Sequence, residues 1–315
     1  MKPKVLISAP YALPVIERYK AALGAAGAEV VVAPVRERLE EADLLPLVKD
    51  VAAIICGDDR ITARVLEAAP LLRVIAKWGT GIDSIDRETA KARGVQVLNT
   101  PNAFSEPVAD TAMGYILFFA RRPAEMDRAI REGRWEKPQL SALNERTLGI
   151  VGVGNCGKAV ARRAAAFGMR LLGNDVVKID EAFTRSVGLE MTDLEPLLRT
   201  ADYVTLHCDL NQTSHGLIGE PQLELMKRDA VLINTARGPI VREAALAKAL
   251  EQSRIRGAAL DVFEEEPLPA DSPLRKLPNC LLAPHNANSS AKAAEHVHAN
   301  TIANCLRGLG LEPAA

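Results

Sequence analysis

The sequence predicts an α/β protein with two doubly wound parallel sheets, each in its own domain. Short apolar runs alternate with helix-forming stretches along most of the 315 residues, which is typical of parallel strands linked by helices. Residues 148–175 combine an apolar run, three closely spaced glycines and a helical stretch, as in a nucleotide-binding βαβ unit. A chain of this length is expected to form about two domains.

The N-terminal part contains the first βα series. Strands are predicted at residues 3–8, 29–33, 52–56, 74–77 and 95–99, with helices at 14–26, 37–48, 62–69 and 87–93. Pro101 interrupts this series because proline disfavours helix in the residue before it.

A long helix is predicted at residues 105–122. It is apolar on most of its faces, so it is expected to be buried. Two interpretations stay open, the core of one domain or a dimer interface, and we favour the interface.

A second βα series begins at Thr147. Strands are predicted at residues 148–153, 170–173, 203–207, 230–234, 257–260 and 281–283, the full complement of two mononucleotide-binding halves. The last predicted helix, 291–307, follows the sixth strand and is surplus to that domain. We expect it to return to the N-terminal domain, which would make that domain discontinuous.

The glycine segment has the spacing of a dinucleotide-binding loop. Gly152 lets the chain turn sharply after the strand, Gly154 allows close approach of a phosphate, and Gly157 lets the helix pack closely on the sheet. The helix then presents free N–H groups and its positive dipole end to the anion. A glycine-rich turn without a ligand is the alternative, but the flanking strands favour a dinucleotide.

Asp175 indicates which dinucleotide is bound. It follows Gly157 by 18 residues, at the end of the second strand of the unit. A carboxylate there can accept hydrogen bonds from both ribose hydroxyls and would repel a 2′-phosphate. Val176 and Val177 supply no arginine to reverse that preference, so the sequence predicts NAD rather than NADP.

Two side chains at predicted strand ends suit a nicotinamide-dependent reaction on a hydroxy acid. Arg237 follows the run VLIN and can bind a carboxylate through two parallel hydrogen bonds, although an isolated arginine would more often form a structural salt bridge. His285 follows LLAP and can act as the acid/base. His207 ends another strand, and we expect it to line the cofactor site. His296 and His298 face different directions on a helix, so no metal site is predicted.

A carboxylate should orient the acid/base histidine. Glu264, Glu265 and Glu266 follow the strand at 257–260, and Pro267 marks a turn that can point one of them inward. The residues alone leave the choice among the three open.

The chain resembles the D-isomer-specific 2-hydroxyacid dehydrogenases, most closely their phosphoglycerate dehydrogenase branch. The resemblance covers nearly the whole chain and depends on the blocks KWGTGIDSID (77–86), VGVGNCG (151–157), LINTARGPIV (232–241) and ALDVFEEEP (259–267), the last followed by APH (283–285). It implies a Rossmann NAD-binding domain at residues 102–285, inserted into a flavodoxin-like substrate domain at 1–101 and 286–315. It also implies homodimers through the NAD-binding domain.

The resemblance assigns roles to individual residues. It implies that Arg237 holds the substrate carboxylate, that Glu266 pairs with the acid/base His285, and that Asp261 contacts the nicotinamide amide. The substrate is expected to contact Lys77, Trp78, Gly79, Thr80 and Gly81, where the backbone of Gly79 to Gly81 binds its carboxylate. NAD is expected to contact the three glycines and Asp175, and also Asn155, Cys156, His207, Thr213, Thr235, Ala236, Arg237 and His285.

Departures from the family pattern affect the substrate. Members specific for phosphoglycerate place arginines around the phosphate, whereas this chain has Cys56 at one such position and Lys77 at another. Asp58 and Asp59 add negative charge nearby. Arg60, Lys77 and Lys137 could compensate for it, but the pocket is less suited to a phosphate. Phosphoglycerate is therefore one candidate among related 2-hydroxy acids.

Composition excludes other classes. The net charge is −1 and aromatic residues make up 4% of the chain, which argues against nucleic-acid binding. No apolar run reaches the roughly 18 residues of a membrane span, and the N-terminal apolar segment is too short for a signal peptide. Five scattered cysteines favour free thiols and a cytoplasmic protein, although Cys156, inside the glycine loop, could instead sense redox state.

Two functions of different class remain. The first is NAD-dependent hydride transfer to or from C2 of a small 2-hydroxy or 2-keto acid. The second is an NAD(H)-binding regulator of the corepressor type, because some relatives of this fold keep the same triad. Such regulators tend to carry additional partner-binding segments, and the sequence shows none, which favours the enzyme.

Overall fold

The computed structural model describes residues 2–312, which divide into two compact units. One comprises the chain up to Phe104 together with the chain from Ser290 onward, and the other comprises Ser105–Ser289. The outermost residues of the predicted substrate domain, Met1 and 313–315, lie outside the described residues.

The first unit contains a five-stranded sheet. Its strands are β1 (Lys4–Ile7), β2 (Glu29–Val32), β3 (Ala53–Cys56), β4 (Val74–Lys77) and β5 (Gln96–Leu98). They are all parallel, in the order β2-β1-β3-β4-β5, which is the flavodoxin-like order. Every residue of β3 and β4 is buried, as expected for parallel strands covered on both faces.

Four helices of the first unit link these strands. They are α1 (Ile16–Ala25), α2 (Glu41–Leu44), α3 (Ala63–Glu67) and α4 (Arg87–Ala92). The predicted helix at 37–48 is wrong in length, since only α2 forms there. Pro46 contributes to the early end, because it has no N–H group to continue the helical hydrogen bonds after Leu45.

The second unit contains a seven-stranded parallel sheet. Its strands are β6 (Thr147–Val151), β7 (Arg170–Asn174), β8 (Leu189–Met191), β9 (Tyr203–Leu206), β10 (Val231–Asn234), β11 (Gly257–Leu260) and β12 (Cys280–Leu282). Their order, β12-β11-β10-β9-β6-β7-β8, has the reversal next to β6 that defines a doubly wound nucleotide-binding fold. The predicted fold class is confirmed. Strand β8 was missed because only Leu189 of its three residues is buried, which leaves no apolar run to detect.

Seven α-helices of the second unit flank its sheet. They are α5 (Ser105–Arg121), α6 (Pro123–Arg131), α7 (Asn155–Ala166), α8 (Glu181–Val187), α9 (Leu194–Thr200), α10 (Glu220–Leu225) and α11 (Glu243–Glu251). The apolar face of α5 packs against α7 and β10, so much of its predicted apolar surface lies in the core of its own unit. Within residues 2–312, none of the helices combines the length and the apolar character that crossing a membrane requires.

The last helix, α12 (Ala291–Leu309), packs on the five-stranded sheet. The Ser290 side chain caps its start by accepting a hydrogen bond from the Ala293 N–H (3.3 Å). A Cβ at Gly308 would overlap the side chain of Val74, so this glycine permits close approach of α12 to β4. The chain reaches a left-handed conformation at Gly310 (φ 68°), where the helix ends.

Candidate active site

The glycine loop joins β6 to α7 at the carboxyl edge of the seven-stranded sheet. Gly152 has φ +89°, and a Cβ there would collide with the backbone of Cys208. A Cβ at Gly157 would overlap the carbonyl oxygen of Gly152, whereas a Cβ at Gly154 would meet nothing within 4 Å. The loop is therefore tightly packed on its inner side and open at Gly154, where the first N–H groups of α7 have no acceptor within the helix.

Asp175 lies beside this loop, directly after β7. Its Oδ2 accepts a hydrogen bond from the Val153 N–H (2.6 Å) and its Oδ1 from the Val177 N–H (3.0 Å). The carboxylate is thus fixed to the turn that follows β6. Val176 is 84% exposed, so the surface next to the carboxylate is open.

Two buried polar atoms at neighbouring strand ends have no hydrogen-bond partner among the described residues. They are Nδ1 of His207, after β9, and Oγ1 of Thr235, after β10. The other ring nitrogen of His207, Nε2, lies 2.9 Å from the Thr205 hydroxyl. Burial lowers the pKa of His207 to about 4, so the imidazole is neutral at pH 7. Buried atoms of this kind are normally paired, which indicates a ligand-binding surface.

Arg237 is held in a turn built by Asn234, the last residue of β10. The Asn234 side chain accepts a hydrogen bond from the Ala236 N–H (3.1 Å) and donates one to the Arg237 carbonyl (2.9 Å). The next residue, Gly238, lies against the backbone of Phe263, where any Cβ would overlap main-chain atoms. The turn after β10 therefore contacts the loop after β11 directly.

Glu266 and His285 form a pair at the ends of β11 and β12. Glu266 Oε2 lies 2.8 Å from His285 Nδ1, and Glu266 Oε1 accepts a hydrogen bond from the Phe263 N–H (2.9 Å). Both side chains are partly buried. Because Nδ1 faces the carboxylate, the tautomer and orientation of the ring are set, and Nε2 becomes the atom that can exchange a proton with a substrate.

Asp261 fixes the loop that carries His285. His285 has a left-handed backbone (φ 50°), and its N–H donates to the Asp261 carbonyl (2.8 Å). The buried Asp261 carboxylate accepts hydrogen bonds from the N–H groups of Asn286 (3.0 Å) and Ala287 (2.8 Å). The Tyr115 hydroxyl on α5 lies 3.4 Å from the same carboxylate. Burial raises the pKa of Asp261, whereas these backbone donors lower it.

A second group of polar side chains lies at the carboxyl edge of the five-stranded sheet. Lys77 ends β4 and is almost completely buried, and its ammonium lies 3.0 Å from Asp58 Oδ1. The Lys77 ammonium also donates to the carbonyl of Trp78 (3.3 Å). An ion pair with one buried partner is therefore placed where doubly wound sheets bind ligands.

The segment Gly79–Gly81 follows Lys77 as a tight turn. Gly79 has φ +124°, a conformation that favours glycine, and its carbonyl accepts a hydrogen bond from the Thr100 N–H (2.9 Å). Thr80 donates its hydroxyl to the Thr100 carbonyl (2.9 Å). The backbone of the turn is thus fixed before any ligand binds.

Aromatic side chains border this turn. The ring of Tyr11 stacks on Trp78 with centroids 4.3 Å apart, and Phe104 lies 5.7 Å from Trp78. The Trp78 indole donates to Nδ1 of His298 (2.9 Å), which identifies Nδ1 as an acceptor and His298 as a structural group of the first unit. Tyr11 was not noticed in the sequence, since a single aromatic residue after β1 has no distinctive pattern.

Within the second unit, most of the predicted site residues follow strands at one edge of the sheet. Arg237, Glu266, Asp261 and His285 follow three adjacent strands, and the glycines, Asp175 and His207 follow their neighbours. Thr213 lies in an exposed turn, where its hydroxyl binds the Asn211 side chain (2.7 Å). Asn155 is exposed at the start of α7.

The surroundings of Cys156 favour its thiol over the thiolate. Burial raises the pKa of its thiol, so the reactive thiolate is disfavoured, and the thiol lies 3.8 Å from the Ser105 hydroxyl.

Sequence reasoning missed two residues that support the loops of the site, Asn234 and Tyr115. Asn234 could have been noticed as a polar residue that ends an apolar strand, whereas Tyr115 gives no signal within its apolar helix.

Comparison with known proteins identifies the family. Residues 113–287 match the D-isomer specific 2-hydroxyacid dehydrogenase family, NAD binding domain. The glyoxylate reductase of Korarchaeum cryptofilum is 45% identical over 271 residues, which cover 82% of this chain and 81% of that protein. The chain belongs to the D-isomer-specific 2-hydroxyacid dehydrogenases. The D-3-phosphoglycerate dehydrogenase of Methanocaldococcus jannaschii is 38% identical, over 86% of this chain and 52% of that protein.

A solved structure supports the same conclusion. D-lactate dehydrogenase from Aquifex aeolicus, complexed with NAD and lactic acid, matches with a TM-score of 0.87 and 28% identity over 95% of this chain and 93% of that one. The protein is therefore an NAD-dependent 2-hydroxyacid dehydrogenase, and these relatives do not favour the regulator.

The residues of the second unit fit NAD. The space at Gly154, next to N–H groups of α7 that have no acceptor in the helix, suits a pyrophosphate. The fixed Asp175 carboxylate suits ribose hydroxyls, and the unpartnered atoms of His207 and Thr235 offer polar contacts farther along the edge. No group of three metal-ligating side chains close enough to hold a metal ion occurs within residues 2–312.

Proposed function

We propose that His285, Glu266 and Arg237 carry out the dehydrogenase chemistry. His285 is the acid/base, Glu266 orients its ring and stabilises the imidazolium, and Arg237 binds the substrate carboxylate. The observation that supports this most strongly is the 2.8 Å contact between Glu266 and His285. Glu266 is itself anchored to the Phe263 N–H, so the pair is held before substrate binds.

Reduction of the 2-keto acid requires a hydride at C2 and a proton at the oxygen of C2. NADH, when bound, supplies the hydride that adds to C2 of the 2-keto acid. Protonated His285 donates its Nε2 proton to the oxygen of C2, on which negative charge develops. Glu266 stabilises the charged ring before the transfer, and Arg237 fixes the carboxylate next to C2. In the oxidative direction, neutral His285 accepts the proton of the hydroxyl group.

The cofactor residues are proposed on the same grounds. Gly152, Gly154 and Gly157 form the pyrophosphate loop, and Asp175 binds the adenosine ribose. His207 and Asp261 line the nicotinamide side, with Asp261 also fixing the loop of His285. The remaining proposed cofactor contacts are Asn155, Cys156, Thr213, Thr235, Ala236, Arg237 and His285.

The first unit is proposed to bind the substrate. The N–H groups of Gly79–Gly81 bind the substrate carboxylate, and Lys77 and Trp78 border the rest of the molecule. The fixed backbone of this turn and its position at the carboxyl edge of the sheet support the assignment. We propose residues 1–101 and 286–315 as the substrate domain and 102–285 as the NAD-binding domain. The compact units, which divide after Phe104 and after Ser289, support these boundaries.

A panel of 2-keto acids tests the proposed function. NADH absorbance is followed with glyoxylate, hydroxypyruvate, 3-phosphohydroxypyruvate and a bulkier 2-keto acid, and binding of NADH is measured separately by fluorescence. We expect oxidation of NADH with at least one short 2-keto acid. Tight NADH binding without turnover of any acid would exclude the catalytic assignment.

We further propose a homodimer formed through the NAD-binding domain. Trp135 is 79% exposed and Ile130 is 51% exposed, both in the segment that follows α5. Large apolar side chains at the surface are typical of interfaces. Light scattering should give twice the mass of 33.9 kDa, and Trp135→Ser should shift the equilibrium toward the monomer. A monomer at micromolar concentration would exclude the dimer.

A cytoplasmic location is also proposed. The five cysteines are all unbridged, which suits a reducing compartment. Cell fractionation followed by immunoblotting tests this location, and recovery outside the cytoplasmic fraction would contradict it.

A further inference from the structure

The charge of Lys77 is balanced inside the first unit. Its side chain is 5% exposed and that of its partner Asp58 is 38% exposed, with 3.0 Å between Nζ and Oδ1. The Lys77 ammonium also lies 3.8 Å from the position that a Cβ of Gly79 would occupy. The Lys77–Asp58 pair is therefore immediately beside the turn that we propose as the carboxylate-binding loop.

The residues around Asp58 in the chain include a second carboxylate, a thiol and an arginine. Asp59 is buried, accepts hydrogen bonds from the Ser8 hydroxyl and from the Leu39 N–H (2.7 Å), and has its pKa raised by burial. Cys56 is a buried thiol at the end of β3. Arg60 is exposed and lies beyond the two aspartates along the chain. Within the pair, the carboxylate of Asp58 balances the ammonium charge of Lys77.

A phosphorylated substrate tail would be poorly accommodated there. A phosphate monoester carries about −1.5 to −2 charges at pH 7 and is usually bound by several cationic or N–H donors. The buried ammonium of Lys77 is already paired with a carboxylate, and that carboxylate would repel the phosphate. A hydroxymethyl group or a hydrogen atom meets no such repulsion.

We propose that Asp58 is a specificity-determining residue, which neutralises Lys77 and thereby restricts the enzyme to 2-keto acids with an uncharged tail. The proposal deepens the proposed function and rests on it, because it requires that the loop at Gly79 binds the substrate carboxylate. It does not depend on the roles of His285 or Glu266.

A matched pair of substrates tests the role of Asp58. Hydroxypyruvate and 3-phosphohydroxypyruvate differ only by a phosphoryl group, so the ratio of their kcat/KM values isolates the tail. The wild type should prefer hydroxypyruvate. In Asp58→Asn, which keeps the size of the side chain and removes its charge, the ratio should move toward the phosphorylated acid by at least about tenfold, or about 1.4 kcal/mol.

Two further variants separate local charge from other effects. Asp50→Asn removes the same charge from the same unit, but Asp50 pairs with Lys4 at the amino end of β1, so the ratio should not change. The double variant Asp58→Asn/Lys77→Met should lose the gain, because the unmasked ammonium is gone. A gain that persists without Lys77 would overturn the charge-masking role.

The outcomes distinguish the two proposals. If the wild type turns over no 2-keto acid while it binds NADH, the proposed function fails, and this inference fails with it. If the wild type reduces hydroxypyruvate and the ratio in Asp58→Asn stays within twofold, only the role of Asp58 is overturned. Inhibition of hydroxypyruvate reduction by 3-phosphohydroxypyruvate adds a binding measurement, and its inhibition constant should fall in Asp58→Asn but not in Asp50→Asn.

Discussion

The carboxyl edges of the two sheets are organised differently. At the edge of the seven-stranded sheet, carboxylates accept hydrogen bonds from main-chain N–H groups: Asp175 from Val153, Glu266 from Phe263, and Asp261 from Ala287. At the edge of the five-stranded sheet, the side-chain pair Lys77–Asp58 lies beside the glycine turn. Groups fixed to the backbone suit a reaction that family members share, whereas a pair of side chains can change with the substrate. Variants at the two edges test that contrast.

The largest effect is expected from loss of the acid/base. His285→Asn should lower kcat by about 10²–10⁴-fold, because asparagine cannot exchange a proton in this pH range. Asparagine tolerates the left-handed backbone of position 285 better than alanine does, so the loop should be preserved. Stopped-flow and steady-state assays measure the rate, and NADH fluorescence checks that the cofactor still binds.

A graded control accompanies this variant. Glu266→Gln keeps a hydrogen-bonding side chain next to His285 but removes its charge, so kcat should fall less than in His285→Asn. Unchanged turnover in His285→Asn would place the acid/base elsewhere.

Loss of the carboxylate clamp should have the next largest effect. Arg237→Ala should reduce kcat/KM for every 2-keto acid by about 10²–10³-fold, since a charge-assisted fork to the substrate is lost. Arg237→Lys, which keeps the charge without the fork, should be intermediate. Arg254→Ala is the control, because Arg254 pairs with Glu224 (3.3 Å) in the same unit. Equal losses in Arg237→Ala and Arg254→Ala would indicate a structural role.

Acid should destabilise the seven-stranded unit through His207. Its pKa is about 4 in the folded protein and about 6.5 when unfolded, so the unfolded chain binds an additional proton between these values. The free energy of unfolding should therefore fall as the pH falls through this window, with about 2 kcal/mol of the loss between pH 7 and pH 5 due to His207. Urea denaturation at the two pH values measures it.

His207→Gln isolates this contribution. The variant should lose that part of the pH dependence, while the contribution of His298, whose pKa burial also lowers, is common to both proteins. The same pH dependence in wild type and variant would show that His207 is not kept neutral by the fold.

Sequence reasoning predicted the fold class and the dehydrogenase class because both depend on local patterns. Apolar runs and helical stretches reveal strands and helices, and the glycine segment has the same physical meaning in any chain. Strand β8 was missed because only one of its residues is buried. The helix predicted at 37–48 was too long because the prediction did not take Pro46 into account. Choosing Glu266 from three adjacent glutamates required the family resemblance, since the choice depends on the Phe263 N–H. Asp58 follows β3 and Lys77 ends β4. Their spacing in the sequence does not reveal that the two side chains form an ion pair.

Asp175 tests whether a backbone-fixed carboxylate also selects the cofactor. Asp175→Ala should improve the ratio of kcat/KM for NADP over NAD by about tenfold, because the repulsion of a 2′-phosphate is removed. Asp180→Ala is the control, since Asp180 caps α8 by accepting a hydrogen bond from Ala182 (3.1 Å) and has no proposed ribose contact. An unchanged ratio in Asp175→Ala would refute the ribose role.

The smallest effect, and the sharpest test of backbone positioning, is expected from Tyr115→Phe. Tyr115 contacts the Asp261 carboxylate at 3.4 Å, and that carboxylate holds the N–H groups of Asn286 and Ala287 next to His285. Loss of one such hydrogen bond costs about 0.5–1.5 kcal/mol, so kcat should fall about two- to tenfold while the Kd for NADH is unchanged.

Tyr203→Phe is the matched control for this small effect. It removes the same hydroxyl from a buried tyrosine of the same unit, on β9, away from the loop of His285. It should lower stability without changing kcat. If both variants reduce kcat in proportion to their loss of stability, Tyr115 only supports the core. If kcat falls in Tyr115→Phe alone, the geometry of the acid/base depends on a hydrogen bond that begins on α5, and the chemistry at this edge is controlled by positioning rather than by local charge.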